Sequence, residues 1–179
     1  MIIIERLSGE SYILDEVVKV LEFEIDSPEP DTETKGMEGM DGYLDYGTRY
    51  EGRTMRLILA MITDPEDFHV KRREIFRIFD SKEYFYLIDD KEPDRRWRVK
   101  VADSFNMPRD TPKLSRFTVE LQSNFPYAES IQSTLEGEPD QYTFQESTFN
   151  VQNKGDVKID PRSVLTPLRI IFQGESENL

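Results

Sequence analysis

The chain has no cysteine. A disulfide framework, a thiolate zinc site and a thiol nucleophile are thereby excluded, and redox compartment leaves no trace in the sequence. There is one histidine, His69, and one tryptophan, Trp97. A catalytic or metal-binding histidine needs partners at fixed spacing. Neither Asp67 nor Arg72 supplies one, so His69 reads as structural. Long apolar runs are missing too. The longest is Leu57 to Ile62, against roughly 20 residues for a membrane span. The N-terminal MIIIERLSGE has neither the basic start nor the length of a signal peptide. The expected location is the cytoplasm, or an assembly built there.

Positive charge is in deficit. Lys and Arg number 23 against 36 Asp and Glu, a net charge of −13. Residues 1–60 hold 6 basic and 14 acidic groups, 61–120 hold 13 of each, and 121–179 hold 4 and 9. A nucleic-acid groove needs positive potential to neutralise phosphates, so DNA or RNA binding is not expected. The same argument disfavours an anionic membrane surface.

What is present describes a soluble, core-forming chain of 179 residues: 37% hydrophobic, 33% charged and 11% aromatic. Strand signals dominate. Val17, Leu21, Phe23 and Ile25 alternate with Glu22 and Glu24, which puts acids on one face. Arg53–Ile62 turns apolar on both faces after Arg56, as a doubly covered strand does. Tyr84–Ile88 is aromatic and β-prone. Trp97, Val99 and Val101 share one face, and Arg96, Arg98 and Lys100 the other. Phe117, Val119 and Leu121 alternate with polar neighbours. With a turn at Asp89–Asp94, residues 84–103 should form an antiparallel hairpin.

One helix is predicted over roughly 65–80. Thr63-Asp64-Pro65-Glu66-Asp67 offers a capping oxygen, a proline at the first helical position and acids at the positive end of the dipole. Phe68, Arg72, Ile75, Phe76 and Phe79 then follow at helical spacing. Residues 27–50, with Pro28, Pro30 and a glycine-rich centre, read as a long mobile loop. Residues 129–148 read as a linker. Phe149 to Phe172 reads as strand, turn, strand, within a C-terminal stub of about 40 residues (149–179 after the linker) that is near the lower size limit for folding alone. The fold class is mainly β, an antiparallel sandwich or barrel with one helix.

No chemical motif survives inspection. Asp41-Gly42-Tyr43-Leu44-Asp45 lacks the spacing and terminal Glu of a calcium loop. Asp89-Asp90 sits in a turn, where aspartate bonds its own backbone. The glycines from Gly36 to Gly42 lack the Lys-Ser/Thr of a phosphate loop and carry acids where phosphates would sit. Catalytic, cofactor-binding and metal-binding residues are all expected to be absent. Two basic clusters remain, Lys71-Arg72-Arg73 and Arg95-Arg96-Trp97-Arg98. Strand alternation turns Trp97 inward and leaves Arg96 and Arg98 to pair with acids of residues 1–60, within a subunit or across a contact. An acidic part and an arginine-rich part in one molecule suit head-to-tail assembly. Two other readings stay open: a carbohydrate-binding or hydrolytic sandwich, with Trp97, Tyr84 and Tyr86 as a stacking platform, and an adaptor that takes a peptide strand at a sheet edge.

The order of these features resembles the distal tail proteins of siphophages. Gly42, Asp45 and Gly47 match that family's G-x-x-D-x-G before an apolar strand, and Leu121-Gln122-Ser123-Asn124-Phe125-Pro126-Tyr127 is similar to its F-x-x-x-x-P-Y. The resemblance covers about residues 1–128. Phe149–Asp156 with Ile159-Asp160-Pro161 is similar to the opening of the family's galectin-like C-terminal sandwich, which would be truncated here. The resemblance implies a RIFT-related N-terminal β domain, no enzymatic activity and no cofactor. It also implies a ring, usually of six copies, at the virion tail tip. Such a ring joins the tail tube to the tail-associated hub protein, and in some phages to receptor-binding proteins.

Overall fold

The computed structural model describes residues 1–39, 41–80, 82–131, 148 and 150. The chain divides into two compact units, Met1–Gly137 and Glu138–Leu179, and all the secondary structure among the described residues lies in the first. In chain order the elements are β1 (Ile2–Arg6), β2 (Ser11–Ile13), α1 (Leu14–Val17), β3 (Lys19–Ile25), β4 (Pro30–Gly36), β5 (Tyr43–Tyr50), β6 (Arg53–Ile62), α2 (Phe68–Ile78), β7 (Phe85–Asp89), β8 (Arg95–Val101), β9 (Leu114–Ser123) and β10 (Glu129–Ser130). The sequence readings for residues 132–147 and 151–179 lie outside the described residues.

The main sheet runs β2-β1-β7-β8-β9-β6-β3, with β10 on β8; β4 and β5 form a sheet of their own. Every pairing is antiparallel. Ile2, Ile4, Phe85 and Leu87 from one half share a single buried cluster with Leu57, Leu59, Phe117 and Val119 from the other. The sheet therefore folds over itself about β8 as a sandwich, and the expected mainly β, antiparallel fold is borne out. Each such side chain taken fully out of water contributes about 1.5–3 kcal/mol.

Alternation explains most of this. In β9, Ser115, Phe117, Val119, Leu121 and Ser123 are buried while the residues between them face solvent. In β6, Leu59, Ala60 and Met61 are buried in succession, as its unbroken apolar run predicts. The expected hairpin forms from β7 and β8. In its turn the Glu92 amide donates to the Asp89 carbonyl at 3.0 Å, and the Asp89 carboxylate accepts the Lys91 amide at 3.2 Å.

Four expectations need correction. The stretch 27–50 is not a loop but contains the β4–β5 hairpin, because Thr, Tyr and Leu on its strands outweigh the glycines, of which Gly39 and Gly42 fall at the turn and Gly47 at a bulge. The helix begins at Phe68 rather than Pro65. Asp67 precedes it without a side-chain cap, and Asp64 instead accepts from Lys113 Nζ at 2.7 Å. A second helix, α1, is only four residues long, too short to show a period, and buries Leu14. In β3 a bulge between Val20 and Glu22 puts Leu21 on the surface and returns Phe23 to the inward face, opposite Leu57.

Arg6 holds the far end of α2. Its guanidinium donates to the carbonyls of Arg77, Ile78 and Asp80, acceptors in and just past the last turn, where a helix runs out of amide partners. The same group lies 5.1 Å over the Phe85 ring.

Candidate assembly surface

The β4–β5 hairpin is a continuation of the β3–β6 pair, and it projects from the sandwich as an arm. The Asp26 amide donates to the Thr54 carbonyl at 3.0 Å, and the Glu51 amide to the Glu29 carbonyl at 2.8 Å. The ribbon thus runs on past the main sheet with a break at Pro28 and Pro30, which have no N–H to give. At about 3.3 Å per residue the seven residues of β4 extend about 23 Å. All eight residues of β5 are exposed, and all of β4 except the half-buried Asp31, so the domain does not cover the arm.

The arm is nonetheless built. Gly42 and Gly47 have φ of +94° and +122°, a region that favours glycine. The Asp45 carboxylate accepts the Gly47 amide at 2.8 Å. This gives the G-x-x-D-x-G spacing a physical reason: a turn, then a fixed irregularity between Glu33 and Thr34 that leaves Tyr46 unpaired. The register sorts the side chains. Pro30, Thr32, Thr34, Tyr43, Asp45, Thr48 and Tyr50 share one face, where the Thr32 and Thr48 hydroxyls meet at 2.9 Å. Asp31, Glu33, Lys35, Leu44 and Arg49 share the other, and there Arg49 pairs with Asp31 at 2.6 Å. Tyr43, Tyr46 and Tyr50 are 73%, 61% and 54% exposed.

The arm's root is fixed by charge and by a missing side chain. Arg56 lies 3.1 Å from Asp26 and 3.6 Å from both Glu24 and Glu120. The Asp26 carboxylate first, then Glu120 and Glu24, make this guanidinium more basic than usual. A Cβ on Gly52 would collide with the Ser123 carbonyl oxygen, so glycine is required where the arm rejoins β6.

The aromatic strip that the sequence offers as a sugar platform is occupied. Trp97 is buried at 9% exposure. Arg98 and Lys100 lie over Tyr84 at 5.0 and 5.8 Å, and Arg96 over Tyr86 at 3.9 Å. The stacking platform of a sugar site is therefore covered. Arg96 also pairs at 3.6 Å with Glu129, in place of the acids of residues 1–60. A cleft of about 180 Å³ near Trp97 includes Asp89 and Glu92, but the Asp89 carboxylate is engaged in the β7–β8 turn. His69 accompanies Arg72 at 3.3 Å on the outside of α2. Among the described residues no group of three or more His, Asp or Glu is placed to hold a metal ion, and no helix is long and apolar enough to cross a membrane.

Residues 7–123 match the family model of the phage tail protein RIFT-related domain. The chain belongs to this family. The matched span takes in the whole arm, both helices and the strand partners of β6, and it ends where Asn124–Ala128 bulges out between β9 and β10. In that bulge Ser123 Oγ donates to the Phe125 carbonyl at 2.8 Å. The Phe125 and Tyr127 rings meet edge-on at 5.5 Å around a buried Pro126.

No curated protein matches. Among solved structures, the chain is similar to Dit (gp 19.1) of phage SPP1, described as a paradigm of hub adsorption apparatus in Gram-positive infecting phages. The TM-score is 0.58 at 12% identity over 70% of this chain. This chain covers 51% of that one, and at such identity the likeness is one of fold. The tail of an empty gene transfer agent particle with C6 symmetry gives a TM-score of 0.42 at 14% identity, over 74% of this chain and 96% of that one; so partial an overlap carries no argument. The resemblance read from the sequence is thus borne out at the level of the family: this is a phage tail protein RIFT-related domain, with a fold like that of Dit.

Proposed function

We propose that this chain is a non-enzymatic subunit of the virion tail tip. Copies assemble, in the bacterial host cytoplasm, into a closed ring of six that joins the tail tube to the tail-associated hub protein. Receptor-binding proteins are a further partner at the ring's side. Residues 129–148 serve as a linker, and 149–179 as the start of a galectin-like sandwich or a C-terminal arm.

The observation that carries this reading is the β4–β5 arm. A two-stranded hairpin is marginal in water by itself, yet here one projects uncovered with three exposed tyrosines, a residue type enriched at protein contacts. Two further features support it. Among the described residues the main sheet ends at β2 and β3 with edges free to pair, and the charge is segregated along the chain. A surface that meets a different surface of the next copy gives a ring when the rotation closes. Negative-stain images of concentrated full-length protein test this: annular particles with a central hole are expected. Single particles at every concentration, or open fibres, would overturn it.

A further inference from the structure

The arm and α2 carry opposite, uncompensated charge. Residues 26–51 hold eight acidic and two basic side chains, and residues 68–78 hold four basic and one acidic. On the strands and turn of the arm only Asp31 has an ion-pair partner among the described residues. On α2, Lys71 pairs with Glu74 at 3.2 Å, while Arg72, Arg73 and Arg77 have no carboxylate within ion-pair distance among the described residues. Val70 and Phe76 are large apolar side chains exposed on α2, and Arg73 and Arg77 are exposed beside them. They form one stripe at helical spacing, because residues three and four apart are neighbours.

This stripe is complementary to the tyrosine–threonine face of the arm in both senses. It offers apolar surface to Tyr43 and Tyr50 and to the bulged Tyr46, and guanidinium groups to Asp45 on the same face and to Glu38 and Asp41 of the turn. Arginine on an aromatic face is a contact this domain already uses within itself, for Arg109 over Phe68 at 3.9 Å and Arg96 over Tyr86 at 3.9 Å. Among the described residues nothing covers the arm, which leaves its face open to another molecule.

We infer that the arm of one copy docks, tyrosine face down, on the outer stripe of α2 of a second copy, through Val70, Arg73, Phe76 and Arg77. The inference rests on the ring reading and adds to it the receiving surface. Contact between two different surfaces leaves each copy with a free arm at one side and a free helix at the other, so the contact propagates. Its charged component weakens with salt.

The test is self-association of the full chain, followed by sedimentation at several concentrations. Glu38→Arg with Asp41→Arg on the arm's turn, and Arg73→Glu with Arg77→Glu on the helix, should each weaken association by about tenfold or more. Combining all four changes in one chain should restore it, as should mixing the two separate variants. These positions are exposed, so melting temperature should stay near wild type; if a reversal fails to fold, Arg73→Gln with Arg77→Gln replaces it. The absence of cysteine allows a second readout. Tyr46→Cys and Val70→Cys chains should cross-link through a short bis-maleimide when mixed, and far less when each is alone. Association untouched by the helix changes, reversal without rescue, or Tyr46→Cys chains linking to one another as well as to Val70→Cys would overturn the docking and leave the ring standing. A wild-type chain that never associates would overturn both.

Discussion

Strands β9 and β5 have similar lengths and both alternate, yet they end in opposite surroundings. In β9 every second residue is buried, and Val119 and Leu121 have no exposed surface at all. In β5 all eight residues are exposed. Alternation sets which side chains share a face; only a second layer decides whether that face is dry. The core strand is held by burial, whereas the arm is held by local devices alone: the Gly42 and Gly47 backbones, the Asp45 carboxylate, the paired threonines and one Arg–Asp contact. Double-mutant experience with exposed pairs assigns such a contact about 0.2–1 kcal/mol. The arm is thus a shape kept ready for a partner.

The sharpest break of this comparison sets a core residue against an arm residue. Leu57→Ala removes a fully buried side chain and should lower unfolding free energy by about 2–5 kcal/mol. Tyr46→Ala should stay within about 0.5 kcal/mol. Urea midpoints of the two variants check this, and an equal loss would mean that the arm packs on its own domain in solution.

At the junction between the regions, Gly52→Ala forces a methyl group against the Ser123 carbonyl. The expected cost is about 1–3 kcal/mol, typical of overpacking, read again from the urea midpoint. Because the collision is with backbone at the arm's root, this variant should also lose association beyond what its stability predicts.

The smallest effect concerns acid. Asp64 accepts from Lys113, and this hydrogen bond first, with the lysine's charge second, holds its carboxyl below the usual range. A carboxylate depressed in the folded state adds stability that is complete above its unfolded pKa and is lost as pH falls through the folded one. Both groups are fully exposed, so the contribution is slight. The same contact makes Lys113 more basic. Asp64→Asn should therefore lower the melting temperature slightly at neutral pH and flatten both the acid and the far alkaline side of its profile a little. An unchanged acid side would mean that the pair forms no contact in solution.

Much of the sandwich was legible before any coordinates. The runs at Arg53–Ile62, Phe85–Asp89, Arg95–Val101 and Leu114–Ser123 each carry a period of two or a doubly apolar stretch, and each became a strand. The arm was misread because its glycines and prolines outweighed the strand pattern of Tyr43–Tyr50. Its register depends on pairing partners 7 to 20 residues away in sequence. The roles of Arg6 and Gly52 left no local signal, since a guanidinium that caps a distant helix and a glycine pressed by a distant carbonyl are defined only by what lies across the fold.

Composition and periodicity were enough to set the class, a β-rich, cysteine-free, acidic chain, and the order of its motifs carried the resemblance to tail proteins. Those properties are local, and summing over neighbouring residues reveals them. Which face of Trp97 is covered, where the arm leaves the sheet, and that its tyrosines stand bare were decided by tertiary packing. Each depends on backbone contacts between segments far apart in the chain, which no short window of residues contains.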